Sequence, residues 1–192
     1  EKTYKVGIVQ LVEHSSLDDA NRGFVDGLKE RGYEEGKNLT IDRQNAQADQ
    51  SNLQNIVQRF ISDKVDLICA IATPAVQSAA NATKDIPIVG TAVTDYVSAK
   101  VVASNDAPGG NVTGTSDLAP IAEQIDLLMQ LYPNAKTIGT IYSSSEINSE
   151  IQVKAMTEYA QSKGLTVRTA TISTVNDIQQ AAQSMVNDVD VF

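Results

Sequence analysis

The chain has 192 residues, of which 42% are hydrophobic, enough to bury the core of one large domain or two small ones. Its formal charge is -9, from 15 basic and 24 acidic residues, and no basic cluster stands out, so nucleic acid is not an expected partner. No apolar run reaches the roughly 18 residues that a membrane helix needs.

The first twenty residues predict half of a βαβ unit, in which a strand leads through a polar loop into a helix. An apolar run that begins at Val6 is typical of a buried strand. The polar loop 13–16 follows, and a helix is predicted over 17–31 with Ser16 as its N-cap. Because no signal peptide precedes this unit, we expect a cytosolic protein or the mature or trimmed form of an exported one.

The same succession of strand, polar tip and helix recurs along the chain, which predicts an α/β protein with parallel sheets. Leu53, Ile56 and Phe60 keep the three-and-four spacing of an amphipathic helix, and 66–72 is almost wholly apolar, as a central parallel strand is. The other predicted strands are 38–43, 86–93, 112–115, 137–142, 165–171 and 189–192. The other predicted helices begin at 73, span 120–131, end at 164 and include 178–185.

The common nucleotide-binding motifs and the nucleophile elbow of hydrolases are absent from this sequence. Neither GxGxxG nor GxxxxGK[ST] follows a strand, and no GxSxG nucleophile elbow occurs. One cysteine and one histidine exclude a zinc cluster of the usual kind, and Cys69 lies in the apolar run 65–72, where we expect it to pack in the core. We therefore expect no cofactor, no metal and no catalytic residue. His14 is interpreted as a ligand contact or an exposed loop residue rather than as a base.

Two predicted helix starts differ in charge. The first helix carries Asp18 and Asp19 in its first turn, so its dipole is already compensated and an anion would be repelled there. The helix that begins at Thr73-Pro74 has no acid in its first turn, which leaves its N–H groups available for a carboxylate or phosphate oxygen. The alternative is an ordinary helix start that Thr73 caps.

Two further polar tips carry candidate ligand contacts. Asp95 ends a predicted strand without a basic neighbour in sequence, so it accepts a hydrogen bond from a ligand or caps the following turn. Short neutral hydrogen-bonding groups near a helix start are offered by Ser143, Ser144, Ser145 and Asn148, and the alternative is that Ser145 caps the helix while the others are solvated. Tyr142 stacks on a ligand or packs internally, and both interpretations stay open.

These patterns divide the chain into a first α/β lobe over 1–95, a crossover or hinge region over 96–116 and a partial second lobe over 117–192. The division depends on 108–111, Pro-Gly-Gly-Asn, the densest turn-forming stretch in the sequence. A second lobe with so few elements would be undersized, so we expect it to be incomplete.

Several long segments resemble the substrate-binding proteins of bacterial ABC transporters, in the family whose members include tryptophan-, tyrosine- and phenylalanine-associated binders. The matching segments are VGIVQLVEHSSLDDANRGFVDGLKERGY, ICAIATPAVQSA, IPIVGTAVTDYVSAKVV, PGGNVTGTSD and IGTIYSSSEINSEIQ. The similarity runs from Lys5 to the last residue, and relatives continue beyond that point. One departure is Tyr96, since many relatives have proline there.

The resemblance implies a type I periplasmic-binding fold, with two α/β lobes of parallel doubly wound sheets that close on a ligand and with the second lobe incomplete. It implies an extracytoplasmic protein, periplasmic or a cell-surface lipoprotein, that delivers a small polar solute to a membrane permease. The implied solute is an amino acid, aromatic ones included, and an incomplete lobe implies lost affinity or self-association. The residues that the resemblance places at the ligand are Glu13, His14, Ser15, Ser16, Thr73, Pro74, Thr94, Asp95, Ser116, Tyr142, Ser143 and Ser144.

Two other classes of protein share this kind of fold. The effector domain of a transcription regulator would need a basic helix-turn-helix, and none precedes the first strand in this sequence. An enzyme on a doubly wound sheet would need a converging acid–base pair, which a single histidine makes a poor prospect. Binding without chemical change is therefore the preferred interpretation.

Overall fold

The computed structural model describes residues 2–192, which form two compact units that divide between Leu118 and Ala119. The strands are β1 Tyr4–Gln10, β2 Leu39–Asn45, β3 Leu67–Ile71, β4 Ile88–Val93, β5 Val112–Ser116, β6 Thr137–Ser143 and β7 Thr166–Ile172. The helices are α1 Ser15–Glu30, α2 Gln50–Ser62, α3 Thr73–Ala82, α4 Ile121–Leu131, α5 Ile147–Ser162 and α6 Ile178–Met185, with a 3₁₀ turn at Val175–Asp177. Within these residues, none of the helices has the length and apolar character of a membrane span.

The first unit is a five-stranded sheet in the order β2-β1-β3-β4-β5, and every neighbouring pair is parallel. Helices cover both faces, so successive residues of a central strand are buried on opposite sides. Val9 packs in the cluster with α2 and α3, whereas Ile8 packs in the cluster with α1. Burial on both faces explains why the central strands are almost wholly apolar. The predicted α/β class with parallel sheets is confirmed.

Close packing of α2 on the sheet depends on Gly7 of β1. A Cβ atom at Gly7 would lie 2.6 Å from Cδ2 of Phe60, whose ring is fully buried. The ring therefore packs directly on the β1 backbone. Cys69 is also fully buried, as predicted, and burial raises the pKa of its thiol to about 12, so the thiol is an inert core group.

The second unit contains the parallel pair β6-β7 with α4, α5 and α6. Its core is formed by Ile125, Ile138, Ala160 and Leu165. Val191 makes an isolated parallel bridge with Ile138, so of the strand predicted over 189–192 the structure shows this one bridge.

Three predictions of local structure are corrected. The N-cap of α1 is His14, whereas Ser16 is already helical, because the His14 ring accepts the first-turn N–H group. The N-cap of α3 is Ala72 rather than Thr73. The boundary between the units lies at 118/119, and 96–116 belongs to the first unit because β5 pairs with β4. A hinge role for 96–116 stays a prediction.

Candidate functional site

The carboxyl ends of four parallel strands place nine of the predicted ligand contacts at one edge of the first sheet. The tips at 13–16, 73–74, 94–95 and 116 follow or end β1, β3, β4 and β5. Hydrogen bonds join neighbouring tips: Leu11 N–H donates to the Ile71 carbonyl at 3.3 Å, and the Ser116 hydroxyl donates to the Thr94 carbonyl at 2.7 Å. This edge is where open parallel sheets bind ligands.

The tip after β1 is exposed and is shaped by His14. Its Nδ1 atom accepts a hydrogen bond from the Ser16 backbone N–H at 3.2 Å, and its carbonyl accepts from Asp18 N–H at 2.9 Å. Because Nδ1 is an acceptor, this hydrogen bond requires the tautomer that carries its proton on Nε2. Glu13 and Ser15 flank His14, and all three residues are exposed. The tip thus presents a carboxylate, a ring N–H and a hydroxyl to solvent.

The tip after β3 has strained backbone and a buried polar residue. Ala72 has φ 86° and ψ 153°, a region that is essentially reserved for glycine. The Ala72 carbonyl accepts hydrogen bonds from the N–H groups of Ala75 and Val76. Among the described residues, no side chain caps the start of α3. Thr73 is only 3% exposed. The helix start therefore keeps its positive dipole end uncompensated by an acid.

The tip after β4 contains a carboxylate that already has protein partners. Asp95 Oδ1 accepts from Ser98 N–H at 2.6 Å, and Oδ2 accepts from Asn105 Nδ2 at 3.1 Å. The hydrogen bonds from Ser98 and Asn105 hold the pKa of Asp95 below its usual range. Capping of the turn, one of the two predicted roles, is therefore observed. Each carboxylate oxygen has a second lone pair, so contact with a ligand remains compatible with this geometry.

Tyr96 locks the β4 and β5 ends together. Its hydroxyl donates to the Thr115 carbonyl at 3.0 Å, and a Cβ atom at Gly90 or Gly114 would lie 2.6 or 2.1 Å from that hydroxyl oxygen. Gly90 and Gly114 are partners in the strand register. Because neither residue has a side chain, the Tyr96 phenol can lie directly over both of them. Burial raises the pKa of Tyr96 to about 12. A cavity of about 140 Å³ adjoins it and is lined also by Ser116.

The predicted contacts of the second unit lie at the carboxyl end of β6. Tyr142 and Ser143 are half-buried and Ser144 is exposed. The Ser143 and Ser145 hydroxyl oxygens are 2.9 Å apart, and the N-cap of α5 is Glu146, so Ser145 is not the cap that sequence suggested. Next to this tip, Oδ1 of Asn148 is buried and has no hydrogen-bond partner within residues 2–192. An unpaired buried carbonyl oxygen costs free energy unless a ligand or water pairs with it.

A larger cavity of the first unit lies at the opposite edge of the sheet. It has a volume of about 390 Å³ and is lined mainly by apolar side chains, among them Tyr4, Leu28, Tyr33 and Leu39. The Tyr4 and Tyr33 rings meet edge-on, with centroids 5.5 Å apart. None of the predicted ligand contacts lies here. The candidate site is therefore defined by the placement of the polar tips and not by cavity size.

A sequence profile of the family described as ABC transporter substrate binding protein matches residues 5–192. The chain belongs to this family. A tyrosine-binding protein of Clostridioides difficile (strain R20291) is 50% identical over 192 residues, which is 100% of this chain and 56% of that protein. The resemblance stated above is confirmed, and the chain spans little more than half the length of this relative.

Solved structures agree with the family assignment. An ABC domain from Streptococcus pneumonia in complex with L-Trp is 42% identical, with a TM-score of 0.94, over 99% of this chain and 64% of that chain. A leucine-binding protein of Thermotoga maritima is 14% identical with a TM-score of 0.73, over 98% of this chain and 55% of that one. The second likeness shows the fold alone. The predicted type I periplasmic-binding fold is confirmed.

Sequence reasoning missed several residues that shape the candidate site. Gln10, Ala72, Tyr96 and Asn105 hold the tips but were not predicted to do so. Gln10 carries the clearest signal, because a polar residue ends an otherwise apolar buried strand. Asn105 and Ala72 carry none, since their roles depend on contacts and dihedral angles that sequence does not display.

Proposed function

We propose that this protein is the extracytoplasmic solute-binding component of an ABC importer. The observation that supports this most is the combination of family membership over residues 5–192 with polar tips at the carboxyl edge of a parallel sheet. Glu13, His14, Ser15, Ser16, Thr73, Pro74, Thr94, Asp95 and Ser116 are the proposed contacts from the first unit, and Tyr142, Ser143 and Ser144 are those from the second.

The proposed solute is an amino acid, with aromatic ones first. One relative is described as a tyrosine-binding protein, and another was solved with L-Trp. The charges of the first unit suit such a ligand: the α3 start would receive the carboxylate through Thr73 and backbone N–H groups. The carboxylates of Glu13 and Asp95 are candidate acceptors for the ammonium group.

The proposed mechanism is binding without chemistry. Ligand contacts stabilise a closed conformation, which a membrane permease then recognises. The single histidine uses Nδ1 to cap α1, so it is a poor general base in this conformation. We further propose attachment to the cell surface as a lipoprotein or residence in the periplasm, both as properties of the whole protein.

Binding of amino acids to the 192-residue chain tests this proposal. The chain contains no tryptophan, so the emission of added L-tryptophan reports binding without tryptophan emission from the protein itself. In a parallel thermal-shift series, we expect L-tyrosine or L-tryptophan to raise Tm, because a ligand at 100 times its Kd adds about 2.7 kcal/mol of stability. D-tryptophan and L-glutamine are the controls. Absence of a shift with every amino acid contradicts the proposal for this chain.

A further inference from the structure

Gln10 is a buried amide at the last position of β1, directly before the exposed tip 13–16. It is 4% exposed and makes three hydrogen bonds. Its Nε2 atom donates to the Val12 carbonyl at 2.9 Å and to Asp18 Oδ1 at 2.7 Å, while its Oε1 atom accepts from Asn21 Nδ2 at 3.1 Å. One side chain therefore joins the strand, the loop and the first two turns of α1.

The pattern of donors and acceptors leaves one orientation for this amide. The Val12 carbonyl and the Asp18 carboxylate only accept, so the NH₂ group must face them, and the Asn21 amide supplies the donor for Oε1. The hydrogen bond to Asp18 is assisted by the carboxylate charge, which makes it stronger than a neutral one. A hydrophobic residue would fit the apolar strand but would remove all three hydrogen bonds, to the half-buried Val12 and Asn21 and to the exposed Asp18.

The backbone around the tip is held at both ends. Leu11 N–H donates to Ile71 of β3, and the Leu11 carbonyl accepts from Ala48 N–H. At the other end, His14 caps α1. Between Leu11 and His14, the Gln10 side chain donates a hydrogen bond to the carbonyl of Val12, the residue before Glu13. The orientation of Glu13 and His14 thus depends on the Gln10 amide.

We propose that Gln10 is a positioning residue for the ligand site: it holds the 13–16 tip in the geometry that binds solute without touching the solute itself. This inference rests on the function proposed above. Pre-ordering of a loop favours affinity because binding then costs less conformational entropy. Loss of the Gln10 amide should therefore weaken binding more than it disturbs the fold.

The test compares Gln10→Met with Gln44→Met. Gln44 lies on β2 and donates to Asp42 Oδ1 at 2.6 Å, so its variant also removes a glutamine–aspartate hydrogen bond, but at a strand outside the proposed contacts. Two readouts are used: amide hydrogen exchange of Ser16 and Asp18 in the ligand-free chain, and the Kd for L-tryptophan. We expect faster exchange at both amides and about a tenfold rise in Kd for Gln10→Met only.

A second pair of variants, which exchanges the amide of Gln10 and the carboxylate of Asp18, separates a positioning role from a general loss of stability. Gln10→Glu places a second carboxylate against Asp18, so it should raise Kd at least as much as Gln10→Met. Adding Asp18→Asn restores a donor–acceptor pair between residues 10 and 18 but not the bond to the Val12 carbonyl, because a carboxylate cannot donate. The double variant should therefore recover only part of the affinity. A merely structural role predicts changes in Tm across these variants with no change in Kd.

The outcomes are distinct. Equal exchange and equal Kd in Gln10→Met and Gln44→Met overturn the proposal, and so does faster exchange with an unchanged Kd. If the unmodified chain binds neither L-tryptophan nor L-tyrosine, the proposed function is rejected, and slow exchange at Ser16 and Asp18 in Gln10→Met overturns the positioning role as well.

Discussion

Asp66 and Lys5 are joined by two hydrogen bonds at the amino ends of β3 and β1. Asp66 N–H donates to the Lys5 carbonyl at 2.7 Å, and Lys5 N–H donates to Asp66 Oδ2 at 2.8 Å. Asp190 and Thr137 repeat this pair in the second unit, at 2.9 Å for each bond. In each unit, therefore, one aspartate carboxylate accepts a backbone N–H group near the start of a parallel strand.

These two carboxylates should make stability depend on pH in acid. Backbone N–H groups, with Lys2 at Asp66, hold the pKa of Asp66 and of Asp190 below the usual value of about 3.9. A lowered pKa in the folded state contributes stability above the unfolded pKa, and this contribution is lost as pH falls through the folded pKa. In Asp66→Asn/Asp190→Asn, we expect Tm to fall less between pH 5 and pH 2 than in the unmodified chain. Parallel Tm curves would contradict this.

Gly114 should not tolerate a methyl group. A Cβ atom there would lie 2.1 Å from the Tyr96 hydroxyl oxygen and 2.2 Å from the Gly90 carbonyl oxygen. Because one of these neighbours is backbone, we expect Gly114→Ala to lower the free energy of unfolding by about 3 kcal/mol in denaturant titrations. Gly110→Ala is the matched control, since no atom lies within 4 Å of its Cβ position. Similar free energies of unfolding for the two variants would show that β5 can shift to accommodate a methyl group at position 114.

The Tyr96 hydroxyl should contribute a measurable but smaller amount. Tyr96→Phe removes the hydrogen bond to the Thr115 carbonyl and leaves the ring packing in place. The expected loss is about 1 kcal/mol in the free energy of unfolding, the typical net value of one hydrogen bond. An unchanged unfolding curve would mean that water replaces the phenol as donor.

Ala72 should be one of the few positions where glycine stabilises the protein. Its φ of 86° strains any residue with a Cβ atom, and relief of that strain outweighs the entropy that glycine adds to the unfolded chain. We expect Ala72→Gly to raise the free energy of unfolding by about 1 kcal/mol. The control Ala75→Gly, at a buried position of the same helix with ordinary geometry, should lower it by about 1 kcal/mol. A lower free energy of unfolding in Ala72→Gly would contradict the claim that the Ala72 backbone is strained.

Thr73 should matter for ligand affinity if the α3 start receives the solute carboxylate. Thr73→Val keeps the shape and removes the hydroxyl, so we expect Kd for L-tryptophan to rise about tenfold, the equivalent of one charge-assisted hydrogen bond. Thr40→Val, on the exposed side of β2, is the control and should bind as the unmodified chain does. Unchanged affinity of Thr73→Val would remove this residue from the proposed contacts.

Hydrophobic periodicity was a sound guide to the elements of this protein. The strand and helix over 4–30 follow from an apolar run and a polar loop. The periodicity is a weaker guide on α5, where Ala155 is exposed and Ala160 is buried. Weak amphipathic patterns allow more than one face to be chosen.

By itself, the sequence determined the α/β class, the parallel sheets, the buried Cys69 and the polar tips, because each follows from local residue pattern and burial. Only the tertiary structure decided that His14 rather than Ser16 caps α1, that β5 completes the first sheet, and that Tyr96 lies over two glycines. For β5 and Tyr96 the physical reason is distance along the chain, whereas the His14 cap is a local hydrogen bond whose formation depends on backbone dihedral angles that residue type does not fix. Gln10 meets Asn21, and Tyr96 meets Thr115, only after the backbone has folded, so no local pattern records these contacts.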